Sequence, residues 1–382
     1  MPRHTGQLTL GVIGCGPWGP NHIRVFSELP RSRVRACADL NPARLECVCR
    51  RFPALRTTTD YAYLLDDDSI DAVVIATPTD THAAITHDAL QAGKHVLVEK
   101  PLCTTVDQAR ELADLADTAQ RVLMVGHVFL YNPGIIRLRE AIAAGEIGRI
   151  HYLDAVRTNL GPIRPDVNAL FDLGTHDISI FNYLLDAMPV EVSALGRCIS
   201  QRLVEDVCFA SLRYPDGTLG HIHVSWLNPR KVRTLTVVGD RKMAYWDDVD
   251  PADTLRLYDK GVDEPPYYDS FGEFKYLLKN ADVHLPRIDP AEPLVSQASA
   301  FLDAVLDRAP CRSGPLEGGA VVAVLQAANE SLRSGGRMCP VKQPREPATV
   351  TPPFVSRPSS TTEEVAAAPA VPIPGEHWHR IS

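Results

Sequence analysis

The segment 8–26 constrains the fold of this chain more than any other stretch. It opens with apolar residues that predict a buried strand, and its last residues can continue as a helix. The turn between them carries Gly14, Gly16 and Gly19, at the spacing of a dinucleotide-binding fingerprint. Such a turn brings backbone N–H groups and a helix start against a pyrophosphate, and glycine leaves room for it. A glycine-rich turn without a ligand has the same pattern, so the prediction needs support from the residues that follow.

Support comes from Asp39, which ends the second apolar run at 34–38. In a dinucleotide-binding unit, an acid about 20 residues past the glycines accepts the ribose hydroxyls of NAD. Asp39 could also be a simple turn residue, because Asn41 and Pro42 after it resemble a helix start. The order of strand, turn, helix, strand and acid favours the ribose role. Since Arg44 could meet the 2′-phosphate of NADP, NAD is the predicted cofactor and NADP the alternative.

The length and the charge of the chain limit its organisation and its partners. A length of 382 residues suffices for two domains, and a formal charge of −8 argues against nucleic acid or an anionic membrane as partner. No apolar run approaches the roughly 20 residues that span a bilayer, and no secretory segment precedes the first strand, which predicts a cytoplasmic protein. The nine cysteines are scattered without a paired CxxC, which favours reduced thiols over disulfides or a metal site.

A buried strand at 70–76 ends in residues that could line a cofactor cleft. Thr77 and Pro78 follow it directly, and His82 lies on the next helix. Ligands of parallel sheets bind at the carboxyl ends of the strands, so we predict that these three residues contact the cofactor. The alternative for Thr77-Pro78 is an ordinary strand terminator.

The next buried strand, 95–98, runs into Glu99-Lys100-Pro101. An isolated lysine in a turn is usually a surface residue. At the carboxyl end of a central parallel strand, however, Lys100 would lie close to a bound nicotinamide. We therefore favour a functional role for Lys100.

The pattern changes after a further strand at 122–127. From Ile150 onward, strands of period two are joined by turns, and Pro215-Asp216-Gly217 has the composition of a hairpin turn. We predict a dinucleotide-binding α/β domain over 1–128 and a domain with a mostly antiparallel open sheet over 129–341, whose last helices pack back on the first domain. Residues 342–382 are rich in Pro, Ala, Ser, Thr and Glu and are predicted to be a disordered tail.

The segment 159–177 contains the best candidates for proton chemistry. Asp172 and His176 are four residues apart at the start of a predicted helix, so they share one face and can enter one pocket. Taken alone, they would more often be an ordinary surface pair. Together with a dinucleotide domain and Lys100, the proton-transfer interpretation becomes the stronger one.

Two other groups of residues are assigned no function. His221 and His223 point to one face of a strand, without a cysteine or carboxylate motif that would complete a metal site. A basic cluster could bind an anionic substrate, although an exposed strand face is the more common explanation. Its members are Arg230, Lys231, Arg233, Arg241 and Lys242.

The chain resembles the Gfo/Idh/MocA oxidoreductases, relatives of glucose–fructose oxidoreductase and inositol dehydrogenase. The resemblance covers about Leu8 to Val341. It rests on Gly14-Cys15-Gly16-Pro17-Trp18-Gly19, Ala76-Thr77-Pro78 with His82, Glu99-Lys100-Pro101, Gly126-His127 and Asp172-Leu173-Gly174-Thr175-His176. It implies a nicotinamide-dependent dehydrogenase or reductase with Lys100, Asp172 and His176 in its active site. It also implies a homodimer or homotetramer formed through the open sheet face.

The predicted binding residues follow from these segments. Those for the cofactor are Gly14, Gly16, Pro17, Trp18, Gly19, Asp39, Arg44, Thr77, Pro78, His82, Glu99 and Lys100. Those for the substrate are His127, Asn159, Arg164 and Asn168. No metal is predicted.

Three functions are compatible with these residues. The first is an NAD-linked dehydrogenase of a nucleotide-activated sugar, which the resemblance of 18–21 and 159–176 to one branch of the family favours. The second is an oxidoreductase of inositol, an aminocyclitol or a ketosugar. The third is a non-catalytic sensor of dinucleotide and sugar. The presence of Lys100, Asp172 and His176 together argues against the sensor, because binding alone does not require proton transfer.

Overall fold

The computed structural model describes residues 6–200, 203–263 and 277–344. Within these ranges, six parallel strands form the first sheet, in the order β3-β2-β1-β4-β5-β6. The strands are β1 (Leu8–Ile13), β2 (Ser32–Ala38), β3 (Arg56–Thr58), β4 (Ala72–Ile75), β5 (His95–Val98) and β6 (Leu123–Val125). The helices that connect and cover them are α1 (Gly19–Glu28), α2 (Pro42–Arg51), α3 (Ala62–Leu65), α4 (His82–Gln91) and α5 (Val106–Ala119).

The apolar character of the central strands explains why they lie inside. Every residue of β4 is fully buried, as continuous apolar runs between two helix layers must be. The strand order changes direction between β1 and β4, and at such a point two loops separate and leave a crevice at the carboxyl ends. The glycine turn after β1 and Thr77 after β4 both lie at this crevice.

The second sheet confirms the predicted mostly antiparallel architecture. Its nine strands within the described ranges have the order β14-β13-β12-β11-β7-β10-β9-β8-β15, and β7 and β10 are its parallel pair. The strands are β7 (Ile150–Leu160), β8 (Glu191–Arg197), β9 (Val207–Arg213), β10 (Leu219–Ser225), β11 (Leu227–Gly239), β12 (Met243–Asp247), β13 (Leu255–Asp263), β14 (Leu277–His284) and β15 (Cys339–Pro340).

One face of this sheet is covered by helices. They are α6 (Pro133–Ala143), α7 (Thr175–Leu185), α8 (Pro293–Leu306) and α9 (Pro315–Arg333). The segment before α9 also contacts the first sheet, since Val125 N donates to Ser313 O at 2.7 Å and Ser313 Oγ donates to Val125 O at 2.8 Å. These bonds attach the end of β6 to the C-terminal helices.

The structure corrects the sequence analysis in three places. The period-two pattern predicts six strands, of which the last two span 233–239 and 242–246. The structure adds β13 and β14 after them, and β11 already begins at Leu227. A π-helical turn, Leu170–Gly174, precedes α7 where a continuous α-helix was expected. Of the predicted tail, residues 342–344 are described and Pro344 O accepts a hydrogen bond from Arg110 Nε, whereas the remainder lies outside the described residues.

Candidate active site

The glycine turn between β1 and α1 has the geometry that a bound pyrophosphate requires. Gly14 has a φ of +96°, and a Cβ on Gly19 would lie 2.0 Å from Gly14 O, so neither position accepts a side chain without strain. At Gly16, by contrast, the nearest atom to an added Cβ is Arg44 Nη1 at 4.0 Å. The position of Gly16 is therefore open on the side where a cofactor would approach. Trp18, before the first turn of α1, is 47% exposed beside this opening and makes no capping hydrogen bond with its side chain.

Asp39 lies at the end of β2 and holds the glycine turn. Its Oδ2 accepts a hydrogen bond from Cys15 N at 2.7 Å, and its Oδ1 accepts one from Asn41 N at 2.8 Å. Arg44 Nη1 lies 3.5 Å from Asp39 Oδ2, and the arginine side chain is about half exposed. The carboxylate and the guanidinium thus meet at the mouth of the crevice, where the sequence analysis expects the ribose.

His82 links the ends of two neighbouring strands. Its ring is buried, with Nε2 at 2.9 Å from Thr77 O and Nδ1 at 2.8 Å from Pro101 O. Burial lowers the pKa of His82. The side chain therefore joins the segments after β4 and β5, and contact of Thr77, Pro78 and His82 with a cofactor stays a prediction.

Glu99 has a buried partner that the sequence analysis missed. His22 Nε2, on α1, donates to Glu99 Oε1 at 2.8 Å. Burial raises the pKa of Glu99, but the contact with His22 and the charge of Lys100 outweigh it, so the pKa lies below its ordinary value. This pair connects the helix that follows the glycine turn with the residue beside Lys100. A histidine among the apolar positions of α1 was the available signal.

Lys100 and Asp172 meet although 72 residues separate them in the chain. Lys100 Nζ donates to the backbone oxygen of Asp172 at 2.7 Å and to Oδ1 at 3.2 Å. Their side chains are 10% and 14% exposed, so the pair is largely shielded from water but accessible on one side. The structure thus brings the end of β5 and the π-helical turn before α7 into one site.

Two further side chains hold the carboxylate of Asp172. Arg164 Nη1 donates to Oδ1 at 3.2 Å, and Trp226 Nε1 donates to Oδ2 at 3.2 Å. Burial raises the pKa of Asp172, but the charges of Lys100 and Arg164 outweigh this effect, and the pKa is lowered. Asp172 is therefore ionised near neutral pH. Arg164 was predicted from its loop, whereas Trp226, at the end of β10, was not.

His176 lies in the first turn of α7, four residues after Asp172. Its Nδ1 is buried, and no residue that the structure describes forms a hydrogen bond with this atom. Burial first, and then the positive charges of Lys100 and Arg157, lower its pKa well below 6.5. The imidazole is therefore neutral at physiological pH and can accept a proton.

The remaining predicted substrate residues lie in different surroundings. His127 is fully buried, both of its ring nitrogens lack a hydrogen-bond partner among the described residues, and burial lowers its pKa to about 4. Asn159 Nδ2 donates to Gly161 O at 3.0 Å. Asn168 Nδ2 donates to Asn329 Oδ1 at 2.9 Å and to Glu205 at 3.1 Å. These side-chain contacts connect Asn168 to α9 and to Glu205, and its backbone oxygen accepts a hydrogen bond from Asp172 N at 3.0 Å. Binding of substrate by these residues stays a prediction.

Arg233 is the member of the basic cluster that lies near the site. Its Nη1 donates to Asp248 Oδ2 at 3.0 Å, and its guanidinium carbon lies 5.8 Å from the ring centroid of Phe129. The positive charge also contributes to the low pKa of His176. The Arg233 side chain is 37% exposed on β11 and also lies beside Phe129, so exposure on the strand face describes only part of its surroundings.

The described residues contain neither a cluster of metal ligands nor a membrane-spanning helix. No group of three or more histidine, cysteine or acidic side chains there could hold a metal ion. His221 Nδ1 instead lies 2.7 Å from Asp154 Oδ1, and His223 stacks on Phe209. None of the helices described has both the length and the apolar character to cross a membrane.

The arrangement can carry out acid–base chemistry beside a dinucleotide. Lys100 presents an ammonium group at the carboxyl edge of the sheet, Asp172 fixes it, and His176 offers a neutral imidazole on the adjacent helix. An ammonium group stabilises negative charge on a substrate oxygen, and a neutral imidazole accepts a proton from a hydroxyl.

Comparison with known proteins identifies relatives of both domains. Residues 8–127 match the model of an oxidoreductase family with an NAD-binding Rossmann fold, and residues 135–245 match the GFO/IDH/MocA C-terminal domain. The UDP-N-acetylglucosamine 3-dehydrogenase of Acidithiobacillus ferrooxidans is 30% identical over 68% of this chain and 80% of that enzyme. Inositol 2-dehydrogenase 2 of Saccharopolyspora erythraea is 33% identical, over 49% of this chain and little more than half (56%) of that enzyme.

Solved structures show the same architecture over most of the chain. GenD2 from gentamicin A biosynthesis, in complex with NAD, has a TM-score of 0.75 and 28% identity, covering 90% of this chain and 99% of GenD2. A structure of the UDP-N-acetylglucosamine 3-dehydrogenase has a TM-score of 0.71 and 26% identity, covering 86% and 98%. The first domain is thus an NAD-binding Rossmann domain, and this chain belongs to the GFO/IDH/MocA family of oxidoreductases.

Proposed function

We propose that this protein is an NAD-dependent dehydrogenase that oxidises a secondary hydroxyl on the ring of a nucleotide-activated sugar. The observation that supports the proposal is the contact of Lys100 with Asp172, with His176 four residues further along and close enough for the charge of Lys100 to lower its pKa. A protein that only binds a sugar and a dinucleotide does not require an ammonium group and a neutral imidazole at this place.

Each residue has a role that follows from its surroundings. His176 takes the proton of the substrate hydroxyl, because its low pKa keeps the imidazole neutral. Lys100 donates a hydrogen bond to the substrate oxygen and stabilises the charge that develops on it. Asp172, held by Arg164 and Trp226, orients Lys100 and the sugar.

The residues at the crevice fit NAD. The open side of Gly16 and the uncapped start of α1 suit a pyrophosphate, and the Asp39 carboxylate suits the ribose hydroxyls. When bound, NAD supplies the hydride acceptor for the carbon that carries the hydroxyl.

The substrate class is inferred from relatives and from the loop 159–168. The relative that acts on UDP-N-acetylglucosamine aligns over more of both chains than the inositol dehydrogenase does. Arg164 is part-exposed and pairs with both Asp166 and Asp172, so an anionic group of the substrate would bind it by displacing Asp166. A cyclitol or ketosugar is the second candidate, because several relatives are named as inositol dehydrogenases.

A panel of substrates tests this proposal. Purified protein is mixed with NAD or NADP and with UDP-sugars, dTDP-sugars, free sugars or cyclitols, and the absorbance of reduced nicotinamide is followed. We expect reduction with a nucleotide sugar and its loss in His176→Ala. Reduction with cyclitols alone would replace the proposed substrate class. Absence of reduction throughout, with thermal stabilisation by the cofactor, would favour a sensor.

Asp39→Ala is expected to change the cofactor preference. Loss of the carboxylate removes a charge-assisted hydrogen bond to the ribose and releases Arg44 for a 2′-phosphate, so the affinity for NADH falls about tenfold or more while that for NADPH falls less. Titration of both reduced cofactors by fluorescence measures the two dissociation constants. Asp71→Ala is the matched control. The Asp71 carboxylate also accepts a hydrogen bond from a strand backbone, from Thr9 N, but at the amino-terminal end of the strands, away from the crevice. An equal loss of affinity for both cofactors would show that Asp39 only stabilises the glycine turn and does not bind the ribose.

We also propose self-association through the outer face of the second sheet. Tyr152 and Leu219 are exposed and adjacent in the register of β7 and β10, and Leu195 and Phe209 are exposed and adjacent in that of β8 and β9. Exposed apolar side chains grouped on one sheet face are typical of a protein interface.

A further inference from the structure

Behind His176 lies a layer of buried side chains that the proposed reaction does not yet use. The ring of Phe129, in the turn after β6, meets the His176 ring edge to face, with centroids 4.8 Å apart and an interplanar angle of 73°. On Phe129, the guanidinium carbon of Arg157 lies 4.4 Å from the ring centroid. Arg157 belongs to β7, so three separate segments of the chain meet at this point.

Asp177 holds Arg157 in place. Arg157 Nε donates to both carboxylate oxygens at 3.1 Å, and Nη2 donates to Oδ1 at 2.7 Å. Both side chains are only 4% exposed. A planar guanidinium bonded to both oxygens of a carboxylate is fixed in orientation as well as in position. Because Asp177 follows His176 directly in the chain, the same helix start carries the imidazole and the anchor of Arg157.

We propose that Arg157 is a positioning residue for His176: anchored by Asp177, it holds the Phe129 ring against the imidazole and keeps a permanent positive charge behind it. This inference rests on the proposed role of His176 as the base. The aromatic ring excludes water from one side of the imidazole, and the charge disfavours a second positive charge on it. Both effects keep the imidazole neutral and in one orientation.

Several charged or titratable groups face His176, and Arg157 differs from the others. Lys100 follows β5, His127 precedes the turn of Phe129, and Arg233 lies on β11. By our proposal, Lys100 donates to the substrate oxygen. Arg233 pairs with Asp248 at 3.0 Å, and Asp248 is more exposed than Asp177, the partner of Arg157. Asp172 and Asp177 lie on the same helical segment as His176. Among these groups, Arg157 is the buried cation whose guanidinium both lies over the Phe129 ring and is paired with a buried carboxylate.

The test is a titration of His176 in the complete protein without substrate. The Cε1 proton of each histidine is followed by NMR against pH, and His176→Gln identifies the signal of His176. Arg157→Met/Asp177→Asn removes both charges together and leaves no unpaired buried charge. We expect the pKa of His176 to rise in this double variant, because the charge of Arg157 is one of the main causes of its low value and the opposing effect of Asp177 is smaller. Arg157→Lys keeps the charge and should retain most of the low pKa.

Matched controls separate positioning from a general loss of structure. Arg139→Met removes another arginine that contacts α7, at Leu184 O at the far end of the helix, and should leave the pKa of His176 unchanged. Circular dichroism and NADH binding verify the fold of each variant. An unchanged pKa of His176 in a folded double variant would overturn the proposal.

The same variants distinguish this proposal from the proposed function. If His176 is the base, the acid limb of the kcat/KM profile shifts upward in the double variant together with the NMR titration. A shifted titration in a protein that reduces no nicotinamide with any sugar would refute the proposed function and retain the positioning role of Arg157.

Discussion

Lys100→Met is expected to lower kcat/KM by a factor of about 10² or more while the affinity for NADH changes little. The variant keeps the length of the side chain but loses the ammonium group that donates to Asp172 and, by our proposal, to the substrate oxygen. Removing one preorganised donor from a site of developing charge typically has an effect of this size. Steady-state turnover with the substrate found in the panel, and fluorescence titration with NADH, measure the two quantities.

Lys94→Met is the matched control for Lys100. Lys94 is also buried and precedes the same strand, where its Nζ donates to Asp67 O and Ile70 O at 2.9 Å, at the end of the sheet away from the crevice. Its loss should lower thermal stability and leave kcat/KM of the folded protein within a few-fold. Equal turnover in Lys100→Met and the parent protein would contradict the role of Lys100.

His176→Gln is expected to lower kcat by roughly 10²-fold or more, because glutamine cannot accept the proton of the substrate hydroxyl. The pH dependence has a defined sign. The active form of a base is the deprotonated one, and the pKa of His176 is lowered well below 6.5. The kcat/KM of the parent protein should therefore stay level as the pH falls through 6.5 and decrease only at more acidic pH.

His221→Gln provides the comparison for this variant. His221 lies on the outer face of the second sheet, half exposed and paired with Asp154. Its replacement should change neither kcat nor the acid limb. If His176→Gln retains an acid limb like that of the parent protein, another group is the base.

The first domain could be predicted closely because the hydrophobic pattern of each segment and the topology of the whole sheet indicate the same structure. Continuous apolar runs, such as the one that forms β4, are separated by helices, and the carboxyl ends of parallel strands meet at one edge. The second sheet was harder to predict. β13 begins after a turn rich in Asp, and a strand at this edge of the sheet carries a mixed pattern of polar and apolar residues. Such a pattern gives a weak signal of period two.

The candidate site shows which contacts a sequence can and cannot indicate. Lys100 and Asp172 were predicted from their places at a strand end and a helix start, and the structure brings them into contact. A histidine among the apolar positions of α1 indicates that His22 is buried, but its pairing with Glu99 depends on how α1 crosses the sheet. Arg157 follows the buried Leu153 and Ala155 on the inward face of β7, and a charge at such a position was the available signal of a buried ion pair.

Transfer of deuterium from the substrate carbon to the cofactor is a direct test of the proposed reaction. The substrate found in the panel is labelled with deuterium on the carbon that carries the oxidised hydroxyl and incubated with the protein and NAD, and the reduced cofactor is analysed by mass spectrometry. We predict that the reduced cofactor carries the deuterium, and that its rate of formation falls in Lys100→Met and His176→Gln. Unlabelled reduced cofactor, with deuterium released to water, would contradict direct hydride transfer in this site.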